Sequence, residues 1–210
     1  ELRKVARGGG TGRTLAWGGG RRRPEATGDG TVYCVERMLH HARRETPGAR
    51  VLVSGSGNVA QYAALKATEL GAKVLTFSDS GGTLYARDGF DEQALQELMA
   101  LKNERRGRLQ ELASDARFEF LAGKRPWHVP ADIALPCATQ NELDEDDART
   151  LVHNGVQCVA EGANMPSTLE AVDVFLQAGT LYAPGKASNA GGVATSGLEM
   201  SQNAQRLSWH

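Results

Sequence analysis

The chain has 210 residues, of which 40% are hydrophobic and 23% are charged, and its formal net charge at pH 7 is −1. A charge this close to neutral argues against a nucleic acid or a membrane surface as the main partner, because those partners usually require a marked basic excess. No apolar run approaches the roughly 18 residues of a membrane span, and the first residues lack the apolar centre of a signal peptide. We therefore expect a cytoplasmic globular protein.

The cysteines give no sign of a disulfide framework or a metal site. Cys34, Cys137 and Cys158 lie far apart and have no CxxC spacing, so we expect reduced thiols and no bound metal. A cysteine hydrolase that uses Cys137 and His128 is disfavoured, because nothing in the sequence places a base beside that thiol.

Short apolar runs alternate with helical patterns along most of the chain. The Gly- and Arg-rich residues 1–23 predict a loop, and Pro24 suits the first turn of a helix that ends near Arg44. In chain order, the later predictions are strand Arg50–Ser54, helix Asn58–Leu70, strand Lys73–Ser78, helix Asp91–Lys102, strand Ala131–Leu135, helix Asp144–His153, strand Cys158–Ala160, helix Thr168–Ala178, strand Thr180–Ala183 and helix Ala187–Trp209. Short apolar strands separated by helices predict an α/β fold with a doubly wound, mostly parallel sheet.

The stretch SGSGNVA at 54–60 is the clearest motif. Gly55, Gly57 and Ala60 match G-x-G-x-x-A, in which the first glycine makes a tight turn and the second lets the backbone approach a pyrophosphate. The helix that follows would direct its free N–H groups at the phosphates, and Asp79 ends the next strand, where a ribose-binding acid belongs. This context predicts a Rossmann-like NAD(P)-binding domain, although a plain turn between strand and helix would contain the same glycines.

The residues around Asp79 leave the choice of dinucleotide open. An acid at this position usually bonds to the ribose 2′-OH of NAD and repels a 2′-phosphate. However, Ser80 follows it, and the stretch LKNERRGR contains Lys102 and the pair Arg105 and Arg106, which could neutralise that phosphate. The same cations would also suit a solvated helix end.

Six stretches in order carry a resemblance to a known family: RPEATG (23–28), SGSGNVAQYA (54–63), SDSGG (78–82), LPCATQNEL (135–143), AEGANMP (160–166) and APGKASNAGGVATSGLEMSQN (183–203). With them the chain resembles glutamate dehydrogenase of the NADP-dependent, hexameric kind, from about Thr11 to its last residue. The resemblance implies reversible oxidative deamination of L-glutamate to 2-oxoglutarate and ammonia with NADP, NAD being the less favoured cofactor. It also implies a homo-hexameric full-length protein.

The resemblance further implies domain limits and site residues. Residues 1–23 would be a remnant of the substrate domain or linker, 24–185 the dinucleotide-binding domain, and 186–210 the start of the C-terminal return helices. Val193 and Ser196 would bind substrate, with Ser196 bonded to its distal carboxylate. The implied cofactor-binding residues are Thr27, Gly55, Ser56, Gly57, Asn58, Val59, Asp79, Ser80, Lys102, Ala138, Thr139, Gln140 and Asn164.

Some of these residues also have ordinary structural interpretations. Thr27 and Asn164 could be helix caps, and Ser196 could bond to its own backbone. Asn141 could either cap the helix that begins near Asp144 or contact the cofactor.

In the family, the catalytic lysines and aspartate belong to an N-terminal substrate domain. We therefore expect no catalytic residue in this chain, which we interpret as a fragment that is inactive by itself. Two alternatives stay open: an NAD-dependent dehydrogenase of apolar amino acids, and a noncatalytic nucleotide-binding module.

Overall fold

A computed structural model describes residue 11 and residues 24–205. Its strands are β1 (Arg50–Val53), β2 (Lys73–Asp79), β3 (Gly82–Tyr85), β4 (Glu119–Ala122), β5 (Ile133–Leu135), β6 (Cys158–Ala160) and β7 (Leu181–Ala183). They form one seven-stranded sheet in the order β4-β3-β2-β1-β5-β6-β7. The five strands from β2 to β7 in this order are parallel, whereas β3 and β4 are antiparallel at one edge.

The helices are α1 (Ala26–His41), α2 (Asn58–Glu69), α3 (Glu92–Ala100), α4 (Glu145–His153), α5 (Leu169–Gln177), α6 (Gly185–Ser188) and α7 (Ala190–Gln205). A π-helical turn, Leu101–Arg105, continues α3, and two 3-10 turns lie at Leu109–Ser114 and Pro126–His128. None of the helices within the described residues is both long enough and apolar enough to cross a membrane.

Two apolar layers cover the two faces of the sheet. Because side chains alternate along a strand, Val51 and Val53 of β1 face α1, α2 and α3, whereas Leu52 faces α4 and α5. Phe175 of α5 and Trp127 of the second 3-10 turn complete the second layer and are almost fully buried. Helices on both faces of a mostly parallel sheet confirm the predicted doubly wound α/β fold.

The sequence prediction missed β3 and β4. The chain reverses directly after β2, and Gly82 pairs with Ala122 across the new edge. Its φ is +147°, and a Cβ there would lie 2.4 Å from the Leu121 carbonyl oxygen, so this pairing requires glycine. Gly82 is therefore part of an antiparallel ribbon.

The predicted helices are otherwise close to those observed, with one correction at the end of the chain. The single helix predicted over Ala187–Trp209 is two helices, because the chain turns at Asn189, the C-cap of α6. The Asn189 amide donates to the Gly162 carbonyl oxygen at 2.6 Å, which holds this turn against the sheet. The rest of that predicted helix, 206–209, and the predicted loop at 1–23, apart from Thr11, lie outside the described residues.

Candidate functional site

The order of the strands reverses between β1 and β5, which creates a crevice at their carboxyl ends. In open α/β sheets, ligands bind at such a topological switch point. A cleft of about 470 Å³ lies there. Its lining contains Gly55, Ser56, Gly57, Ser78, Asp79, Ser80, Lys124, Arg125, Pro126, Cys137, Ala138, Thr139 and Glu142. Thus seven of the residues predicted to bind a cofactor line one cleft.

Gly55 forms the tight turn after β1. Its φ is +78°, and a Cβ there would lie 3.0 Å from both the Cys137 carbonyl oxygen and the Ala138 Cα. The Gly55 N–H donates to Ser78 Oγ at 2.8 Å, and the Ser78 N–H donates to the Gly55 carbonyl oxygen at 3.0 Å. The turn is therefore fixed between the ends of β2 and β5, where another residue would be both strained and crowded.

Gly57 is a glycine for a different reason. It is the N-cap of α2, with φ −83° and ψ −170°, an extended conformation that any residue can adopt. A Cβ at Gly57 would meet no atom within 4 Å, although the residue lines the cleft. The fold does not require glycine here, but a ligand that approached this backbone closely would.

The N-terminus of α2 has no side-chain cap. Its first N–H groups therefore have no side-chain acceptor from the N-cap residue, and they carry the positive end of the helix dipole. These donors, next to the space in front of Gly57, fit a pyrophosphate. The Asn58 amide donates to the Pro24 carbonyl oxygen at 2.6 Å and so joins the start of α2 to the start of α1.

Asp79 is engaged by the protein itself. Its carboxylate accepts the Gly81 N–H at 2.9 Å and the Leu109 N–H at 3.0 Å, and Lys102 Nζ lies 3.6 Å away. Lys102 Nζ also donates to the Gly107 carbonyl oxygen at 2.9 Å. The Asp79 side chain is only 8% exposed. It therefore anchors the loop that follows the π-helical turn, and its charge is balanced by Lys102.

That anchored loop carries Arg108 to Ser80. The Arg108 guanidinium donates a hydrogen bond to Ser80 Oγ, and Ser80 itself is exposed and lines the cleft. The Ser80 hydroxyl and the Arg108 guanidinium together offer hydrogen-bond donors to an anion such as a carboxylate or a phosphate.

Glu142 fixes the opposite wall of the cleft. Its Oε1 accepts the Ser54 hydroxyl at 2.8 Å and the Ala138 N–H at 2.9 Å, and Ser54 Oγ in turn accepts the Cys137 N–H at 2.9 Å. This network ties the end of β1 to the loop after β5. Burial raises the pKa of the Glu142 carboxyl above its ordinary value, although these hydrogen bonds oppose the rise.

Cys137 and His128 do not form a nucleophile and base. Burial raises the pKa of the Cys137 thiol, which disfavours the reactive thiolate. His128 is exposed, and its Nδ1 lies 2.8 Å from the Arg125 carbonyl oxygen. Cys34, Cys137 and Cys158 are all free. Within the described residues, no group of histidine, cysteine and acidic side chains is arranged to hold a metal ion.

The other predicted residues lie on two helices that pack closely together: Thr27 is on α1, and Val193 and Ser196 are on α7. A Cβ at Gly28 of α1 would lie 2.5 Å from the Ala63 nitrogen of α2, and one at Gly191 of α7 would lie 2.1 Å from the Ala26 carbonyl oxygen. These glycines let α1, which carries Thr27, pack tightly against both α2 and α7. On α7, Val193 is 72% exposed, and Ser196 is partly exposed.

The capping alternatives for three residues are wrong. Thr27 lies inside α1, whose N-cap is Glu25. Asp144, which accepts the Asp147 N–H, caps α4 in place of Asn141, and Asn141 adopts φ +54°. Thr168 caps α5. Asn164 precedes that cap and accepts a 3.3 Å hydrogen bond from Asn189.

Val59 and Gln140 lie at the edges of this arrangement. A Cβ at Gly162 would be 3.1 Å from Val59 Cγ1, so Val59 packs beside the loop after β6. Gln140 is exposed and follows the part of the loop that lines the cleft. Val59 and Gln140 thus lie one or two residues along the chain from residues that line the cleft.

Several residues of this site were not predicted from the sequence, among them Arg108, Lys124 and Glu142. A clustered basic stretch gave a signal near Arg108, but the prediction selected Lys102, Arg105 and Arg106. Lys124 and Glu142 reach the cleft through pairings with distant segments, and no local pattern marks them.

The fold and this cleft define a doubly wound α/β domain of the Rossmann-like class. The family model for Glutamate/Leucine/Phenylalanine/Valine dehydrogenase matches residues 18–210. The chain therefore belongs to this family.

Comparisons with individual proteins agree with this assignment. The chain is 59% identical to the NADP-specific glutamate dehydrogenase of Salmonella typhimurium, over 95% of this chain and 44% of that protein. It is 56% identical to the NAD(P)-specific glutamate dehydrogenase of Xylanibacter ruminicola, over 95% and 45%. The solved glutamate dehydrogenase of Plasmodium falciparum has a TM-score of 0.91 at 47% identity, over 95% of this chain and 43% of that one. The chain thus spans less than half the length of these relatives.

Proposed function

We propose that this chain is the cofactor-binding part of an NADP-dependent glutamate dehydrogenase, which interconverts L-glutamate with 2-oxoglutarate and ammonia. The observation that carries the proposal is Gly57, a glycine that the fold does not need but that a closely bound dinucleotide would. The cleft at the switch point and the relatives named NADP-specific glutamate dehydrogenase support it.

The surroundings of Ser80 favour NADP over NAD. Asp79 uses its carboxylate on two backbone N–H groups and Lys102, so it has little left to offer a ribose 2′-OH. Arg108 instead presents a guanidinium at Ser80, where a 2′-phosphate would find a charge-assisted partner. One relative is named NAD(P)-specific, so the preference of this chain needs a direct measurement.

Each part of the site would have a distinct task. When bound, NADP supplies the hydride acceptor, and the protein supplies position and electrostatics. The turn from Gly55 to Val59 would hold the pyrophosphate. Ala138, Thr139 and Gln140, with Asn164 and Thr27, would orient the nicotinamide ribose and exclude water from it. Val193 and Ser196 would face the substrate, and the resemblance assigns the proton-transfer groups to a substrate domain.

Two glycine-to-alanine variants, Gly57→Ala and its control Gly197→Ala, test the dinucleotide site. Gly57→Ala leaves the fold intact, within about 1 kcal/mol, because the backbone is extended and the space is open. It weakens NADPH binding about tenfold or more, or ~1.4 kcal/mol, because the methyl group occupies the space of the pyrophosphate. Titration followed by nicotinamide fluorescence measures the affinity, and thermal unfolding measures the fold.

Gly197→Ala is the matched control, because a Cβ at Gly197 on α7 also meets nothing within 4 Å but lies away from the cleft lining. It should leave NADPH affinity unchanged. Equal affinity of the wild-type and Gly57→Ala proteins would contradict the proposed site.

An NAD-dependent dehydrogenase of apolar amino acids is the second candidate. It is favoured by the acid at position 79. A solved relative, the hetero-hexameric glutamate dehydrogenase of Thermus thermophilus in a Leu-bound form, is similar at TM-score 0.80 and 29% identity, over 95% of this chain and 45% of that one. Assays of the full-length enzyme with glutamate, leucine and phenylalanine separate the two. A noncatalytic module would bind NADPH and oxidise none of them.

The domain limits 24–185 and 186–210, the cytoplasmic location and the hexameric assembly stay predictions. Limited proteolysis, cell fractionation and sedimentation of the full-length protein would test them in turn.

A further inference from the structure

Lys124 lies on the rim of the cleft, next to the turn that carries Ser80. The Gly123 N–H donates to the Gly81 carbonyl oxygen at 2.9 Å, and Thr83 Oγ1 donates to the Lys124 carbonyl oxygen at 2.7 Å. The pairing of Gly82 with Ala122 continues this contact into the sheet. The backbone of Lys124 is therefore held against the turn after β2 by regular strand pairing.

Its ammonium group has no carboxylate partner within the described part of the chain. The neighbouring Arg125 differs, because it pairs with Asp144 at 3.0 Å and Asp147 at 2.5 Å. Lys102 lies against Asp79. Among these three cations, Lys124 is thus the one whose charge is not balanced by an acid.

Two cations from different segments therefore lie at this part of the cleft. Arg108, from the loop after the π-helical turn, donates to the Ser80 hydroxyl, and Lys124, just after the end of β4, lines the same cleft as Ser80. Asp79, the acid that directly precedes Ser80, is occupied by backbone N–H groups and Lys102. Such an arrangement suits a phosphate monoester, which carries up to two negative charges and several acceptor oxygens.

We propose that Lys124 is a specificity-determining residue whose ammonium pairs with the phosphate on the 2′ position of the adenosine ribose, opposite Arg108. The proposal rests on the proposed function, because it assumes that the adenosine end of a dinucleotide lies beside Ser80. Lys124 then separates NADPH from NADH without contributing to the binding that the two share.

The test is a binding measurement on the full chain carrying Lys124→Gln. We expect the dissociation constant for NADPH to rise about five- to twentyfold at low salt, and that for NADH to stay unchanged. The same difference should appear between 2′,5′-ADP and 5′-AMP, which contain the adenosine end alone. Raising the salt concentration should shrink the effect, because exposed charges are screened. Lys124→Arg, which keeps the charge, should restore most of the NADPH affinity.

Lys73→Gln is the matched control, since Lys73 is an exposed lysine at the amino end of β2, on the opposite edge of the sheet. It should change neither affinity. Equal NADPH binding by the wild-type and Lys124→Gln proteins would overturn this inference while the proposed function stands. An equal loss for NADPH and NADH would also overturn it, because it would indicate contact with the adenine or its ribose. Failure of the wild-type chain to bind either dinucleotide would remove both the inference and the proposed function.

Discussion

Replacement of Asp79 by alanine shows whether this residue is a free ribose-binding acid or a structural anchor, because the two roles predict opposite changes in NADPH affinity. If Asp79 were a free ribose-binding acid, its removal would relieve repulsion of a 2′-phosphate and strengthen NADPH binding. In the structure, the carboxylate instead holds the Gly81 and Leu109 N–H groups and Lys102. We therefore expect Asp79→Ala to weaken NADPH binding.

The magnitude follows from the lost hydrogen bonds. A hydrogen bond to a charged group contributes ~1.5–3 kcal/mol to stability. The Gly81 N–H is exposed, so in the variant it can form a hydrogen bond with water instead. We therefore expect the loss of the two hydrogen bonds to lower the free energy of unfolding by about 2–4 kcal/mol. For a domain of this size that lowers Tm by about 5–15 °C. Without the Asp79 carboxylate, the loop that carries Arg108 is no longer anchored beside Ser80. Because NADPH binding must then order this loop, we expect the affinity for NADPH to fall about tenfold.

The assay is NADPH titration below the lowered Tm, with thermal unfolding on the same sample. Asp79→Asn keeps one acceptor oxygen and should give an intermediate loss of stability, which provides a folded variant if the alanine protein unfolds. Asp88→Ala is the control, because Asp88 is exposed and in no ion pair of the described residues. Tighter NADPH binding by Asp79→Ala, with unchanged Tm, would refute the structural role.

Two further predictions concern the opposite wall of the cleft. Burial raises the pKa of Glu142, so the stability linked to this group is present below the unfolded pKa of about 4.3 and is lost as pH rises through the higher folded pKa. Thermal unfolding should therefore show Glu142→Gln gaining stability relative to wild type as the pH rises from about 4.5 to about 8, and a pH-independent difference would contradict this. Burial also raises the pKa of Cys137, so iodoacetamide at neutral pH should modify the half-buried Cys34 first. Peptide mass spectrometry that finds Cys137 modified faster would count against a buried, protonated thiol.

Much of the fold could be predicted because its central parallel strands are largely buried and read as continuous apolar runs. Val51, Leu52 and Val53 are all buried, as are Ile133, Ala134 and Leu135. In contrast, β4 is partly exposed at the edge of the sheet, and β3 begins with a glycine. Local pattern carries little information for such strands, since pairing with a neighbour creates them.

The candidate site likewise contains residues that a local sequence pattern predicts and residues that only long-range contacts bring together. The glycine motif is local in sequence, so Gly55 and Gly57 were predicted with their separate roles. Glu142 reaches Ser54 across a sequence separation of 88 residues, and it stands in an acidic stretch that resembles an ordinary helix N-terminus. Arg108 reaches Ser80 across 28 residues. Contacts of this kind depend on the assembled sheet, and one sequence alone does not reveal them.

The antiparallel edge of the sheet explains why the acid at position 79 is weak evidence for NAD. After β2 the chain reverses within the turn to Gly82, so the Gly81 N–H points back at the Asp79 carboxylate. The loop at Leu109 supplies a second donor from outside the turn. Both donors belong to the backbone. The turn therefore engages the acid through its own backbone, and under the proposed function Ser80 and its neighbour Arg108 would select between the two dinucleotides.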